Sequence, residues 1–151
     1  MTKEIQEAIC KQEVAKKNFV CKNVNHILSD FESDVLSLGK TYITESEVKI
    51  SRSDFLRDKT KKRWKFKNEK AYFNYFYYVC PSGLIDVSEI SEFHGLMYFD
   101  GGLRVIKKAK LIHKKILNRC KILEKFLRLS SERKYFGKSL ITIKNDNRRK
   151  D

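Results

Sequence analysis

Three residues carry the chemistry this chain of 151 residues could perform: Asp34, Glu47 and Lys49. Asp34 stands in Glu32-Ser33-Asp34-Val35-Leu36-Ser37-Leu38, and Glu47 and Lys49 bracket Val48 in Tyr42-Ile43-Thr44-Glu45-Ser46-Glu47-Val48-Lys49. Both stretches read as β-strands, so the three charges can meet on one sheet. Two carboxylates and an ammonium gathered there are costly to hold unless something compensates them. A divalent cation would do so: Mg²⁺ or Mn²⁺ on Asp34 and Glu47, with the backbone carbonyl of Val48 as a further oxygen ligand. Such an ion lowers the pKa of a bound water and neutralises charge growing on a phosphate, while Lys49 orients the water or the scissile group. That is equipment for hydrolysing a phosphodiester.

A hairpin must position these groups. Gly39-Lys40 between the strands fits a type II′ turn, which takes Gly at its first central position. That turn predicts Leu38 opposite Thr41, Leu36 opposite Ile43, Asp34 opposite Glu45 and Glu32 opposite Glu47. Asp34, Glu45, Glu47 and Lys49 then share a face, with Glu47 the diagonal neighbour of Asp34 at a Cβ separation of about 6–7 Å. Glu45 and Glu32 are candidate accessory acids in this register. A slip of one residue would carry Asp34 to the opposite face.

Around the hairpin, Thr2 to Lys17 reads as a helix capped by Thr2, and Phe19 to Val24 as a short strand. Ser51 or Ser53 caps a second helix with Asp54 in its first turn. Tyr72 to Pro81, aromatic on both faces, suits a central strand covered on each side. Gly95–Asp100 and Leu103–Ile106 flank Gly101-Gly102 as a second hairpin. From Lys110 to about Arg133 the spacing predicts one long amphipathic helix, with Ile112, Ile116, Cys120, Leu123 and Leu127 on its apolar stripe. The order helix, strand, hairpin, helix, strand predicts an α/β fold on a mixed central sheet flanked by helices. A single domain is expected over 1–135, with a basic tail over 136–151.

Lys and Arg number 33 against 19 Asp and Glu, a net charge of +14. A chain this basic is expected to meet a polyanion, and DNA is the expected partner. The basic run after the hairpin supplies Arg52, Arg57, Lys61, Lys62, Arg63 and Lys65 as a phosphate-tracking surface, with Trp64 assigned to the core. The four cysteines and three histidines are scattered, which excludes a zinc finger. No apolar stretch is long enough for a membrane span and the start lacks a signal-peptide apolar region, so the expected location is the cytoplasm, with no membrane partner.

The strand of Asp34, together with Glu45 through Lys59, resembles the PD-(D/E)xK nuclease superfamily, and most closely its small MmcB-like, DNA-repair-associated and phage-encoded members. The likeness extends through Tyr77–Pro81, Gly83–Ile85 and Gly95–Tyr98, and so covers residues 20–107. Ser33 stands where the family name has proline. The resemblance implies a restriction-endonuclease-like core with Asp34, Glu47 and Lys49 as metal and catalytic residues. It also implies an additional acid from the first helix, for which Glu4, Glu7 and Glu13 are the candidates and Glu7 the one chosen. The implied activity is metal-dependent hydrolysis of DNA in bacterial repair, recombination or phage DNA processing. Pairing of two copies into a homodimer is one way such nucleases cut both strands. The competing expectation is a DNA-binding module that keeps the fold without turnover.

Overall fold

The computed structural model describes residues 1–25, 32–59, 71–115 and 118–137. The chain divides into two compact units, Met1–Leu117 and Asn118–Asp151. In the first unit six strands form one sheet in sequence order: β1 Phe19–Asn25, β2 Glu32–Leu38, β3 Ile43–Val48, β4 Tyr75–Pro81, β5 Gly95–Phe99 and β6 Leu103–Lys107. β1, β2 and β3 are mutually antiparallel, β3, β4 and β5 run parallel, and β6 returns antiparallel. The mixed α/β sheet expected from the sequence is present, with the aromatic β4 at its interior.

Helix α1, Thr2–Ala15, covers one face, where Ile5 and Ile9 pack with Val35, Val48, Val79 and Met97. Met1, not Thr2, occupies its N-cap position. Helix α2, Arg52–Lys59, connects β3 to the parallel β4, as parallel neighbours require a crossover. The backbone N–H of Asp54 bonds Ser51 Oγ at 3.2 Å, which settles Ser51 as the cap. The opposite face of the sheet carries Leu36, Phe76, Tyr78 and Leu96, all buried, and Phe55 of α2 meets the Tyr78 ring edge-on at 5.3 Å.

The first hairpin departs from its expected turn. Gly39 to Tyr42 form a four-residue loop in which Gly39 N–H bonds the Tyr42 carbonyl at 2.9 Å, and Leu38 pairs with Ile43. The left-handed glycines are Gly83, Gly101 and Gly137, not Gly39. The longer loop frees Tyr42 to pack edge-on against Tyr75 at 5.8 Å. The register therefore shifts by two residues, with Leu36 opposite Glu45 and Val35 opposite Ser46. An even shift leaves every β3 side chain on its expected face, so the apolar pattern could not discriminate between the two registers.

The second hairpin forms as expected, Tyr98 opposite Arg104 and Phe99 opposite Leu103. At its base, Gly95 lies against the Tyr77 ring. A methyl group there would sit 2.2 Å from Tyr77 Cε1 and 2.8 Å from the backbone nitrogen of Ala109, which itself bonds the Tyr77 hydroxyl. Gly95→Ala is expected to destabilise the fold by about 1–3 kcal/mol. Urea unfolding measures this, and an unchanged midpoint would contradict it.

In the second unit, the helix expected from Lys110 starts only at Arg119. Helix α3, Arg119–Phe136, is capped by Asn118, whose side chain accepts from Lys121 N–H, and ends at left-handed Gly137. Its buried residues are Ile122, Phe126 and Leu129, whereas Leu127 and Cys120 are exposed. The expected stripe was aligned on Ile112 and Ile116. Ile112 precedes the helix, Ile116 lies outside the described residues, and the buried face is the one that carries Ile122, Phe126 and Leu129 instead.

Candidate active site

Asp34 lies where two ladders break. The β1–β2 register runs Cys21 to Leu36 and Lys22 to Val35, then resumes with Val24 to Ser33, stepping over Asn23 and Asp34. Asn23 adopts a left-handed φ of 48° and its side chain accepts from Gln6 of α1. On the other side, the β2–β3 ladder closes with Val35 opposite Ser46. The next step in that register sets Asp34 level with Glu47. There the Asp34 carboxylate replaces a ladder carbonyl: Oδ2 accepts from the Val48 N–H at 2.8 Å. This bond sets Asp34 on the backbone of the middle residue of the Glu-x-Lys triplet.

Glu47 and Lys49 point to the α2 face. Lys49 Nζ donates to Glu47 Oε1 at 2.9 Å and lies 3.4 Å from Asp58 Oδ1 and 3.8 Å from Asp54 Oδ2. Only 2% of the Lys49 side chain is exposed. Burial by itself lowers the pKa of such an amine, but the charge and hydrogen bond of Glu47, followed by the charges of Asp58 and Asp54, outweigh it. The net direction is upward, so Lys49 is an ammonium at neutral pH. Its chemistry is that of a fixed positive charge and hydrogen-bond donor, not of a base.

Asp58 is fully buried and its Oδ2 accepts from the Tyr78 hydroxyl at 2.8 Å. Behind it, His94 packs its ring 4.6 Å from that of Phe76 and 5.9 Å from that of Tyr78. Desolvation, reinforced by the Lys107 charge and opposed by Asp58, lowers the His94 pKa from 6.5 to about 4. A base with a depressed folded pKa contributes stability that is complete above its unfolded value. That stability is lost as pH falls from about 6.5 toward 4, an effect of about 3 kcal/mol. His94→Phe is expected to flatten this part of the stability–pH curve, measured by thermal unfolding between pH 7 and 4. An unaltered acid slope would contradict it.

The other expected site residues are distributed as follows. Glu45, expected opposite Asp34, lies opposite Leu36 and is fully buried, accepting from the Tyr72 hydroxyl at 2.6 Å, with Ser33 bonded to the same hydroxyl. Glu32 pairs with Asn25 of β1 and is exposed, beyond the β2–β3 ladder that was expected to set it opposite Glu47. Glu7 pairs with Lys22 on the α1 side, and Glu4 with the N-terminal amine. Glu13 is bonded by Lys16, Asn18 and Ser37; desolvation opposes its ionisation, but these bonds lower its pKa overall. None of the three α1 acids is brought to Glu47. Arg52 is clamped to both Glu89 oxygens at 2.7 Å and to the Leu84 carbonyl at 3.0 Å, so it joins α2 to the β4–β5 connection. Arg57 is exposed, 3.6 Å from Asp54. Lys61, Lys62, Arg63 and Lys65, with Trp64, lie outside the described residues.

Asp54, Asp58 and Tyr78 are members of the charged cluster that sequence reasoning did not assign to it. The available signal was the i, i+4 spacing of Asp54 and Asp58 just after Lys49, which sets both on one helix face.

Among the described residues, no group of three or more His, Cys, Asp or Glu side chains is arranged to hold a metal ion. The Asp34 and Glu47 carboxylates offer hard oxygens of the kind that magnesium and manganese take, while the Val48 group that meets Asp34 is its N–H. Glu47 already carries a cation, the Lys49 ammonium.

No helix among the described residues is long and apolar enough to cross a membrane. No protein-family model matches the chain, and no curated protein matches it. Among solved structures it is similar to a protein of unknown function from Silicibacter pomeroyi. That likeness has a TM-score of 0.65 and 17% identity over 85% of each chain, a similarity of fold.

Proposed function

We propose that the chain is a metal-dependent nuclease that hydrolyses DNA phosphodiester bonds at Asp34, Glu47 and Lys49, on a restriction-endonuclease-like core. The observation that carries this reading is the 2.8 Å bond from Val48 N–H to Asp34 Oδ2, which joins the lone aspartate of β2 to the Glu-x-Lys triplet of β3. The element order supports it too: a helix, three antiparallel strands, then a crossover helix into a parallel strand, with the acids where β2 and β3 part.

Asp34 and Glu47, with the Val48 carbonyl, would hold Mg²⁺ or Mn²⁺, which when bound supplies an acidified water and charge stabilisation at the phosphate. Lys49, kept protonated by its carboxylate neighbours, holds a positive charge against the phosphoryl oxygens and donates a hydrogen bond to the attacking water or the phosphate. The net charge of +14 supplies sequence-independent attraction to the DNA backbone.

The test is incubation of the purified protein with duplex, single-stranded and branched DNA, with Mg²⁺ or Mn²⁺ and with chelator. Cleavage of at least one substrate that chelator stops is expected. Salt-sensitive binding without cleavage of any substrate would instead establish the non-catalytic DNA-binding reading. The Lys49–Glu47 contact favours that rival, because a lysine seated on the carboxylate competes with a metal for it.

A further inference from the structure

Lys49 stands between two carboxylates from different elements. Glu47 belongs to β3, as Lys49 follows it in the same chain segment, and Asp58 belongs to α2. The first is 2.9 Å from Nζ and the second 3.4 Å. Asp58 is the better fixed of the two α2 acids. It is fully buried, its second oxygen is held by the Tyr78 hydroxyl, and the neighbouring Phe55 ring is packed on Tyr78. Asp54 is half-buried and 3.8 Å away.

We propose that Asp58, anchored by Tyr78, is a positioning residue that takes over the Lys49 ammonium when a divalent cation engages Glu47. The proposal rests on the reading of Glu47 as a cation ligand. A buried ammonium needs a carboxylate partner, because its desolvation is otherwise uncompensated. If Glu47 were its only strong partner, every cation arriving there would have to displace Lys49 into an uncompensated state, and lysine and metal would compete outright. Asp58 removes that competition. A move of under about 1 Å brings Nζ to full hydrogen-bonding distance from Oδ1, and Lys49 stays beside the site as a donor. No covalent bond changes; the ammonium exchanges one carboxylate for another.

The test is Mn²⁺ binding by titration calorimetry to the full chain, in a double-mutant cycle of Asp58→Asn and Lys49→Met. Asp58→Asn is expected to weaken Mn²⁺ binding about tenfold when Lys49 is present, and by less than about twofold in the Lys49→Met background. Equal weakening in both backgrounds would show that Asp58 acts only as a nearby negative charge, and would overturn the proposal. A comparison that leaves Lys49 in place covers the case in which Lys49→Met does not fold. Asp54→Asn removes the same charge from the same helix and is expected to cost less than about threefold. Weakening equal to that of Asp58→Asn would overturn the proposal. Absence of Mn²⁺ binding by the unmodified protein, or binding that survives Glu47→Gln unchanged, would overturn the underlying metal reading and the proposal with it.

Discussion

Asp34→Asn is expected to lower the single-turnover rate of metal-dependent DNA cleavage by at least about 10²–10³, the scale of losing one preorganised charge at a reacting phosphate. The substitution keeps the side-chain shape, and the amide oxygen can still accept from Val48 N–H, so the break between β2 and β3 survives. What disappears is the negative charge of the proposed metal ligand. DNA affinity at low salt is expected to stay within about twofold, because phosphate attraction is spread over many cations and the variant is one unit more positive. Quenched-flow cleavage and gel shifts on the same preparation separate the two quantities. Retention of the full cleavage rate would remove Asp34 from the site.

Phe55→Ala is expected to cost about 3–5 kcal/mol of folding stability, the range for deleting a fully buried phenyl ring. Its effect reaches the site because α2 is a short helix of eight residues with Phe55 as its fully buried anchor. The same helix carries Asp54 and Asp58 to Lys49. Loosening it is expected to reduce cleavage even where the protein remains folded, at temperatures well below the unfolding midpoint. Phe55→Leu, which refills most of the volume, should recover both properties in large part. Urea unfolding and cleavage assays measure the pair of effects. A variant with an unchanged midpoint, or with a lower midpoint and full activity, would show that α2 is not the support of this site.

The sheet was legible where alternation and β-formers were strong. β2, β4 and β5 appear close to their expected limits because each buries a recognisable apolar set, while β3 and β6 follow from the turns that join them to β2 and β5. The hairpin register was not legible. Gly39 suggested a two-residue turn, and the two registers differ by an even step that buries the same side chains, leaving only the packing of Tyr42 on Tyr75 to discriminate. Helix α3 was misplaced at its start because Ile112 keeps helical spacing with Cys120 and Leu127, both exposed on the helix that forms, while Asn118 supplies the cap that begins it.

At the site, the nearness of Glu47 and Lys49 was legible from strand alternation, since Lys49 stands two residues on, just past the end of β3. The position of Asp34 was legible, but not the means by which it reaches β3. That means is a bond from the Val48 N–H to its carboxylate, a contact with no mark in the local pattern. Glu45 read as an accessory acid on the same face as Glu47. What separates them is Tyr72, which comes from a distant part of the chain and seals Glu45 in the interior. Asp58 was hidden for a similar reason: an aspartate in a charged helix reads as solvated until the Tyr78 hydroxyl and Lys49 are set beside it. Arg52 looked like a phosphate ligand in a basic run, yet its geometry is that of a bidentate clamp on Glu89.

The most direct measurement is the single-turnover DNA cleavage rate as a function of Mn²⁺ concentration, for the unmodified chain and for Glu47→Gln. The expected result is a rate that rises from zero and saturates with Mn²⁺ in the unmodified protein. The Glu47→Gln rate should lie at least about 10²-fold lower at every concentration. Cleavage that proceeds at the same rate without Mn²⁺, or that Glu47→Gln leaves intact, would contradict a cation-dependent site built on Asp34, Glu47 and Lys49.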